Sequence, residues 1–519
     1  MPENRRSRKF INNPVEDDGL LVAMTPDISK GQNNRQHPSV IQETEAKNLT
    51  NVNIELPGQR SRRPGLTLVE DLGSLAITGA FPYQPQGGTD NILVVEGTNL
   101  KRWTGSGSFS SAIKSDYTTG LITGFAQSYK TGVGDVAFVS NGTENVFELD
   151  QSYTFTDLGD TNTSPPKTKV MTGFRNRLWA LKSDLLYYSS ASPSNYATAF
   201  DRTTNAYRIP VGPERAVAGV RDTGLLIAGK NEIWALNPSM TPAATDRPEK
   251  ISEFGCAAGK TFIQVGDDFL YLSFQGIRGV FRTQQDKLQY GQSFPLSYKL
   301  KSEFEAINWA NIEKATAVYW NNKYFIALPT AGSSYNNQVW VYYPATEGWT
   351  VISGWNVGDW VKFKINGEER LYFGNASADG KFYRCWSGAS DAGTAIAFTE
   401  ESRSFDMGNP VVRKNGGELE VAAKPTGDYN ISVYGSFDEG SYNLLGYLNV
   451  GTGLITFPVT FPVTFLPESE TASKFHLDGY GPWRTFRYKL YNNDVTTNTE
   501  DITIYRTTIT AFEEAYESE

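Results

Sequence analysis

At 519 residues with a formal net charge of −9, the chain exceeds what one hydrophobic core sustains and is too acidic for broad, non-specific nucleic-acid binding by its surface. Its two histidines, His37 and His476, leave Ser-His catalysis and His-rich metal sites short of imidazoles, and its two cysteines, Cys256 and Cys385, read as buried free thiols in separate repeats. No apolar run approaches the ~18 residues of a membrane span and no apolar signal stretch follows the basic start, so a soluble, non-exported protein is expected.

Residues 1–65 are polar and carry two basic clusters, Arg5, Arg6, Arg8, Lys9 and Arg60, Arg62, Arg63. Periodicity is nearly absent before the alternating Val52–Leu56, which Pro57 and Gly58 stop. The stretch reads as an extended N-terminal arm, although a solvated tail fits the same composition. Its basic side chains could meet DNA phosphates or an acidic protein. Docking on a partner is the favoured reading, because a basic arm suits subunit capture in an assembly.

Between residues 66 and 397 one kernel recurs seven times: an apolar strand, a polar Gly/Asn/Asp turn, and a strand carrying an aromatic. The copies begin at Ile92 (ILVVEGTNLKRW), Val136, Arg177 (RLWALKSDLLYY), Leu225 (LLIAGKNEIWAL), Phe269, Lys323 and Arg370. A mostly β recurrence of about 40 to 50 residues marks the blades of a β-propeller. About seven blades are predicted, with six to eight left open. Near-continuous apolar strands fit sheets packed on both faces between neighbouring blades. The best candidate for a helix is Lys299–Lys314.

From residue 398 to 519 short alternating strands take over, such as Glu418–Ala423 and Tyr429–Tyr434, and predict a C-terminal β-sandwich. The duplication Phe457–Thr464 contains two prolines and is expected at an edge or in an extended arm. The fold class is therefore all-β: an arm, a propeller and a sandwich.

Few motifs carry chemistry. Gly255–Thr261 resembles a phosphate-binding loop but has three intervening residues where that loop needs four, and a strand follows it, so it reads as a turn leading into a blade. Ser436–Tyr442 resembles an Asp-box hairpin, with Asp438 capping the turn and Gly440 supplying the left-handed position; occurring once, it reads as structural. Trp103, Trp179, Trp234, Trp340, Trp349 and Trp483 fall in or beside strands and are assigned to the core. Carboxylates number 57, and no spacing singles out an acid/base pair. No catalytic, cofactor-binding or metal-binding residue is predicted.

Four stretches, in order, are similar to a phage structural family. They are Lys47–Val52 with Pro57, Gly58 and Arg63–Gly65; Gly173–Trp179 with Tyr187–Ser189 and Pro193; Gly224–Leu236 with Gly255–Ala257; and Gly481–Tyr488 before the strand Ile502–Ile509. Together they resemble the tail nozzle, or packaged-DNA stabilisation (tail tubular), proteins of short-tailed bacteriophages. The resemblance implies a virion protein, not an enzyme. It implies a ring of six copies below the portal and adaptor that extends the DNA channel, retains packaged DNA and allows its ejection. The implied partners are further copies of itself, the adaptor, tail fibre proteins, and double-stranded DNA passing without specific binding. The competing expectation is a carbohydrate-binding or depolymerising propeller for host recognition, which needs an axial cleft with two convergent carboxylates and exposed aromatics.

Overall fold

The computed structural model describes residues 8–9, 14–15, 20–25, 27–220, 223–290, 293–424, 430–450, 471–492 and 501–514. Seven small antiparallel sheets ring one axis, and each kernel supplies the second and third strands of one sheet. In blade 1 these are Asn91–Glu96 and Asn99–Trp103, in blade 4 Gly224–Gly229 and Ile233–Leu236, and in blade 7 Glu368–Asn375 and Lys381–Cys385. The first strands stand innermost: Ile77–Tyr83, Gly124–Lys130, Met171–Phe174, Glu214–Val220, Ile263–Val265, Thr316–Trp320 and Val357–Ile365. Neighbouring blades touch through these strands or the turns that lead into them, and Val357–Ile365 meets Ile77–Tyr83 to close the ring. Blade 7 takes its fourth strand, Leu66–Asp71, from the segment before blade 1, so the ring is also closed by backbone hydrogen bonds.

The continuous apolar runs have a direct packing cause. Along Asn91–Glu96 every residue is buried. Ile92 and Val94 pack with Val361, Phe363 and Phe382 of blade 7, whereas Leu93 and Val95 pack with Ala137 and Val139 of blade 2. In blade 4, Leu225 and Ile227 face blade 3 while Leu226 and Ala228 face blade 5. Period-2 alternation is still present, but both faces are core, at about 1.5–3 kcal/mol for each large aliphatic side chain removed from water. Cys256 and Cys385 are buried free thiols in blades 5 and 7.

Beyond the propeller, two sheets pack as a sandwich. One contains Phe398–Glu401, Phe486–Asn492, Asn430–Phe437 and Asn443–Asn449; the other contains Thr471–His476, Lys414–Ala423 and Thr503–Glu513. The N-terminal segment is woven into both domains. Leu20–Thr25 pairs with Thr503–Glu513, and Arg60–Arg62 joins the same sheet. Asn48–Thr50 lies between Gly348–Ser353 of blade 6 and Phe398–Glu401 of the sandwich, making one nine-stranded sheet across the domain border. The largest core follows it: Phe325, Trp360 and Phe373 of blades 6 and 7 share a cluster with Leu419, Val421, Ile431 and Leu490.

Three local expectations need correction. Lys299–Lys314 forms only the short helix Lys301–Glu305 and the tight turn Trp309–Lys314, whereas the longest helix among the described residues is Val280–Tyr290. That helix stands where blade 5, with three strands, has no fourth, and its apolar pattern is weak because only Val280 and Thr283 are buried. In the Ser436–Tyr442 hairpin, Asp438 and Glu439 themselves hold the positive φ angles (48° and 60°) in place of Gly440. The Asp438 carboxylate accepts from the amides of Arg484 and Thr485 at 2.7 and 3.0 Å, so it caps a neighbouring loop. Phe457–Thr464 lies outside the described residues.

Candidate functional site

The candidate docking arginines turn inward. Strand alternation puts Arg60 and Arg62 on one buried face, and Arg63 follows them; all three are at most 2% exposed. The Arg60 Nε donates to both Glu400 oxygens at 2.7 and 2.8 Å, Nη1 donates to the Thr25 carbonyl at 3.2 Å, and Nη2 donates to Thr507. The Tyr488 hydroxyl donates to the same Glu400 carboxylate at 3.0 Å. Burial pulls the Arg60 guanidinium down and Glu400 pulls it up, and the carboxylate wins. Arg62 donates to the Ala389 carbonyl at 3.0 Å. Arg63 grips Asp391 with two nitrogens at 2.9 and 2.6 Å, donates to Asn51 at 2.8 Å and stacks over Trp355.

These three are internal anchors and offer nothing to a partner. The carboxylates of Arg60 and Arg63 and the carbonyl that Arg62 meets lie more than 300 residues away in sequence, so the three arginines alone read as a basic patch. Arg5 and Arg6 lie outside the described residues. Arg8 and Lys9 form a two-residue strand paired with Pro14–Val15.

A different set of charges converges on the propeller axis. There a cavity of about 350 Å³ is lined from all seven blades. Its charged groups sit on the starts of the innermost strands or on the turns just before them, and so at one end of the axis: Lys169, Glu214, Arg215, Lys260, Glu313 and Asp359. The apolar part of the lining includes Pro82 and the stacked pair Phe81 and Phe125, whose ring centroids are 5.3 Å apart, together with Met171 and Val217, which also pack into the cores between blades 2 and 3 and between blades 3 and 4.

Lys260 reaches from blade 5 past blade 6 to blades 7 and 1. Its Nζ lies 2.5 Å from Asp359 of blade 7 and donates to the Thr78 carbonyl of blade 1 at 3.2 Å. Asp359 also accepts from Thr316 Oγ1 at 2.9 Å and from the Ala80 and Trp360 amides at 2.9 and 3.1 Å. Glycine permits this arrangement: a Cβ on Gly259 would stand 1.9 Å from the Arg215 carbonyl oxygen. Arg215 in turn pairs with Glu313 at 2.7 Å.

Lys169 Nζ shares Glu313 with Arg215, at 3.9 Å. The Glu214 carboxylate has no hydrogen bond or ion pair among the described residues. Burial holds the Lys169 amine below its ordinary value; Glu313 and Glu214 oppose this, while Arg215 and Lys260 add to it. Among the described residues no group of three or more His, Cys, Asp or Glu side chains could hold a metal ion.

None of the axial residues was singled out from sequence, Lys260 having been read only as part of a turn. A signal existed: Lys169, Arg215, Lys260, Glu313 and Asp359 each stand eight to eleven residues before the kernel of their blade, which begins at Arg177, Leu225, Phe269, Lys323 and Arg370. Reading the repeats in register exposes a recurrent charged position that motif spacing within one blade cannot.

No protein-family model and no curated protein matches the chain. Solved structures do. The extracellular domain of a putative hybrid two-component system from B. thetaiotaomicron aligns at TM-score 0.41 and 9% identity, over 62% of this chain and 39% of that one. The N-terminal domain of BBS1, solved in complex with ARL6, aligns at 0.39 and 11%, over 62% and 97%. A catalytically inactive virginiamycin B lyase from Staphylococcus aureus aligns at 0.40 and 8%, again over 62% and 97%. The chain thus spans about two fifths of the first of these. Likenesses of this size transfer no activity to the chain.

Proposed function

We propose that the chain is a rigid wall subunit of a viral tail: a nozzle-type ring protein that extends the DNA channel below portal and adaptor. The observation that carries the reading is the weld between propeller and sandwich. A shared sheet and a shared core join the two domains into one body, as a wall subunit requires. The ordered resemblance to nozzle proteins points the same way. In such a ring the wall would act by shape and charge: six copies set the lumen, and a net charge of −9 limits sticking of DNA as it passes. Of the basic arm, only Arg5, Arg6, Arg8 and Lys9 remain candidates for docking on a neighbour.

The axis also bears on the competing depolymerase reading, since it holds three carboxylates. Two of them, Asp359 and Glu313, are ion-paired at 2.5 and 2.7 Å. A glycosidase works with two carboxyl groups, one of them able to donate a proton; of the three here only Glu214 is free of an ion pair among the described residues. Native mass spectrometry of the chain, alone and with the adjoining tail proteins, tests the proposal. A monomer that becomes a six-copy ring on its adaptor is expected; a strict monomer that cleaves polysaccharide would overturn it.

A further inference from the structure

Another recess, of about 510 Å³, lies beside the third strand of blade 5, Gly276–Gly279, where the Leu296 amide donates to the Ile277 carbonyl at 2.7 Å. It shares no residue with the axial cavity, and its volume falls within the small-ligand range of about 300–1,000 Å³. Its charged residues are Arg35, Arg278, Lys301 and Glu305, three cations against one carboxylate in a chain of net charge −9. Lys301 and Glu305 take each other at 3.7 Å, both more than half exposed. Arg35 stacks over Tyr298 at 3.7 Å and Arg278 over Phe254 at 3.8 Å, and neither forms an ion pair among the described residues. Arg278 is only 3% exposed. Its Nη1 donates to the Ser293 carbonyl at 3.1 Å and its Nη2 to the Gln275 side-chain oxygen at 2.9 Å, while the buried Nε has no acceptor. Asp286 acts on this charge from beyond ion-pair reach, its carboxylate accepting from the Ser293 hydroxyl at 2.9 Å. Arg60 and Arg63, as deeply buried, each meet a carboxylate directly. A buried guanidinium held by neutral acceptors alone keeps a charge that calls for a counter-ion.

The same recess exposes aromatic surface. Phe294 is 58% and Tyr298 41% exposed, their ring centroids 5.1 Å apart, and Phe304 adds a third ring to the lining. Rings left in water beside unpaired cations fit a ligand with a negative head and a flat apolar body. We infer that this recess binds a small aromatic carboxylate. The carboxylate sits among Arg278 at the base and the exposed Arg35 and Lys301 at the rim, and the ring rests on Phe294 and Phe304. Guanidinium groups suit this head because their planar donors match a carboxylate. A cationic ligand meets three positive groups, and a neutral one leaves the Arg278 charge unmatched.

Isothermal titration calorimetry on the intact chain tests this with three probes of one shape: benzoate, benzamide and benzylamine. Benzoate should bind, and the neutral and cationic probes should bind at least tenfold more weakly. Arg278→Met should bring benzoate down to the level of benzamide, with circular dichroism checking that the variant is folded. Arg35→Gln and Phe294→Ala change exposed side chains, which keeps the test open if Arg278→Met does not fold, and each should weaken benzoate at least threefold. Absence of binding at millimolar benzoate, equal affinity for all three probes, or benzoate binding unchanged in Arg35→Gln and Phe294→Ala would overturn the inference. The assay needs no ring of copies, so its failure leaves the wall-subunit reading untouched.

Discussion

The sandwich seam and the propeller axis both hold ion pairs, but in opposite settings. At the seam, Arg60 and Glu400 are 1% and 0% exposed, and their remaining polar atoms are met by Thr25, Thr507 and Tyr488. At the axis, Arg215 meets a Glu313 that is 51% exposed, and Lys260 is 21% exposed at the cavity wall. A pair sealed from water cannot lose one member without stranding the other, whereas a wet pair exchanges its partner for solvent. The seam pair therefore fixes architecture, and the axial pairs set the charge of a cavity.

Substitutions break that contrast in graded steps. Glu400→Gln leaves a buried guanidinium without its counter-charge and should destabilise the protein by about 3–5 kcal/mol, read by urea denaturation. Asp359→Asn keeps its size but loses the charge that anchors Lys260 beside two backbone amides; a loss of about 1–3 kcal/mol is expected in the same assay. Glu313→Gln should cost no more than about 1 kcal/mol, and the difference from wild type should shrink further as salt is raised. An effect of Glu313→Gln equal to that of Glu400→Gln would erase the distinction between the two regions.

A separate effect is a pH dependence. Burial pushes the Tyr196 phenol from 10.0 up to about 12, against its hydrogen bond to Ser128. The folded state thus favours the neutral phenol. Its contribution is complete below pH 10 and is lost as pH rises from 10 towards 12, because the unfolded chain releases its proton first. Stability measured across that window should fall, and Tyr196→Phe should flatten part of the slope.

Much of the propeller was legible because its repeats obey local rules: an apolar strand, a turn with Gly, Asn or Asp, and an aromatic strand mark the middle of every blade. The strand Leu66–Asp71 was not legible as a blade member, since its partner Lys381–Cys385 lies some 300 residues downstream. Arg60, Arg62 and Arg63 failed for the same reason: a charge in sequence carries no sign of whether a distant carboxylate will bury it. Asp438 shows the limit at short range, where a recognisable turn residue serves the amides of Arg484 and Thr485 instead of its own hairpin. The axial site was hidden by its distribution, with its charges spread over blades 3 to 7 and assembled only by ring closure.

The central claim is that propeller and sandwich form one body through the strand Asn48–Thr50 and their shared core. Differential scanning calorimetry of the intact chain addresses it most directly. One cooperative transition is predicted, with Glu400→Gln lowering the whole of it. Two separate transitions in the wild-type chain, with only the sandwich one moved by Glu400→Gln, would contradict the account.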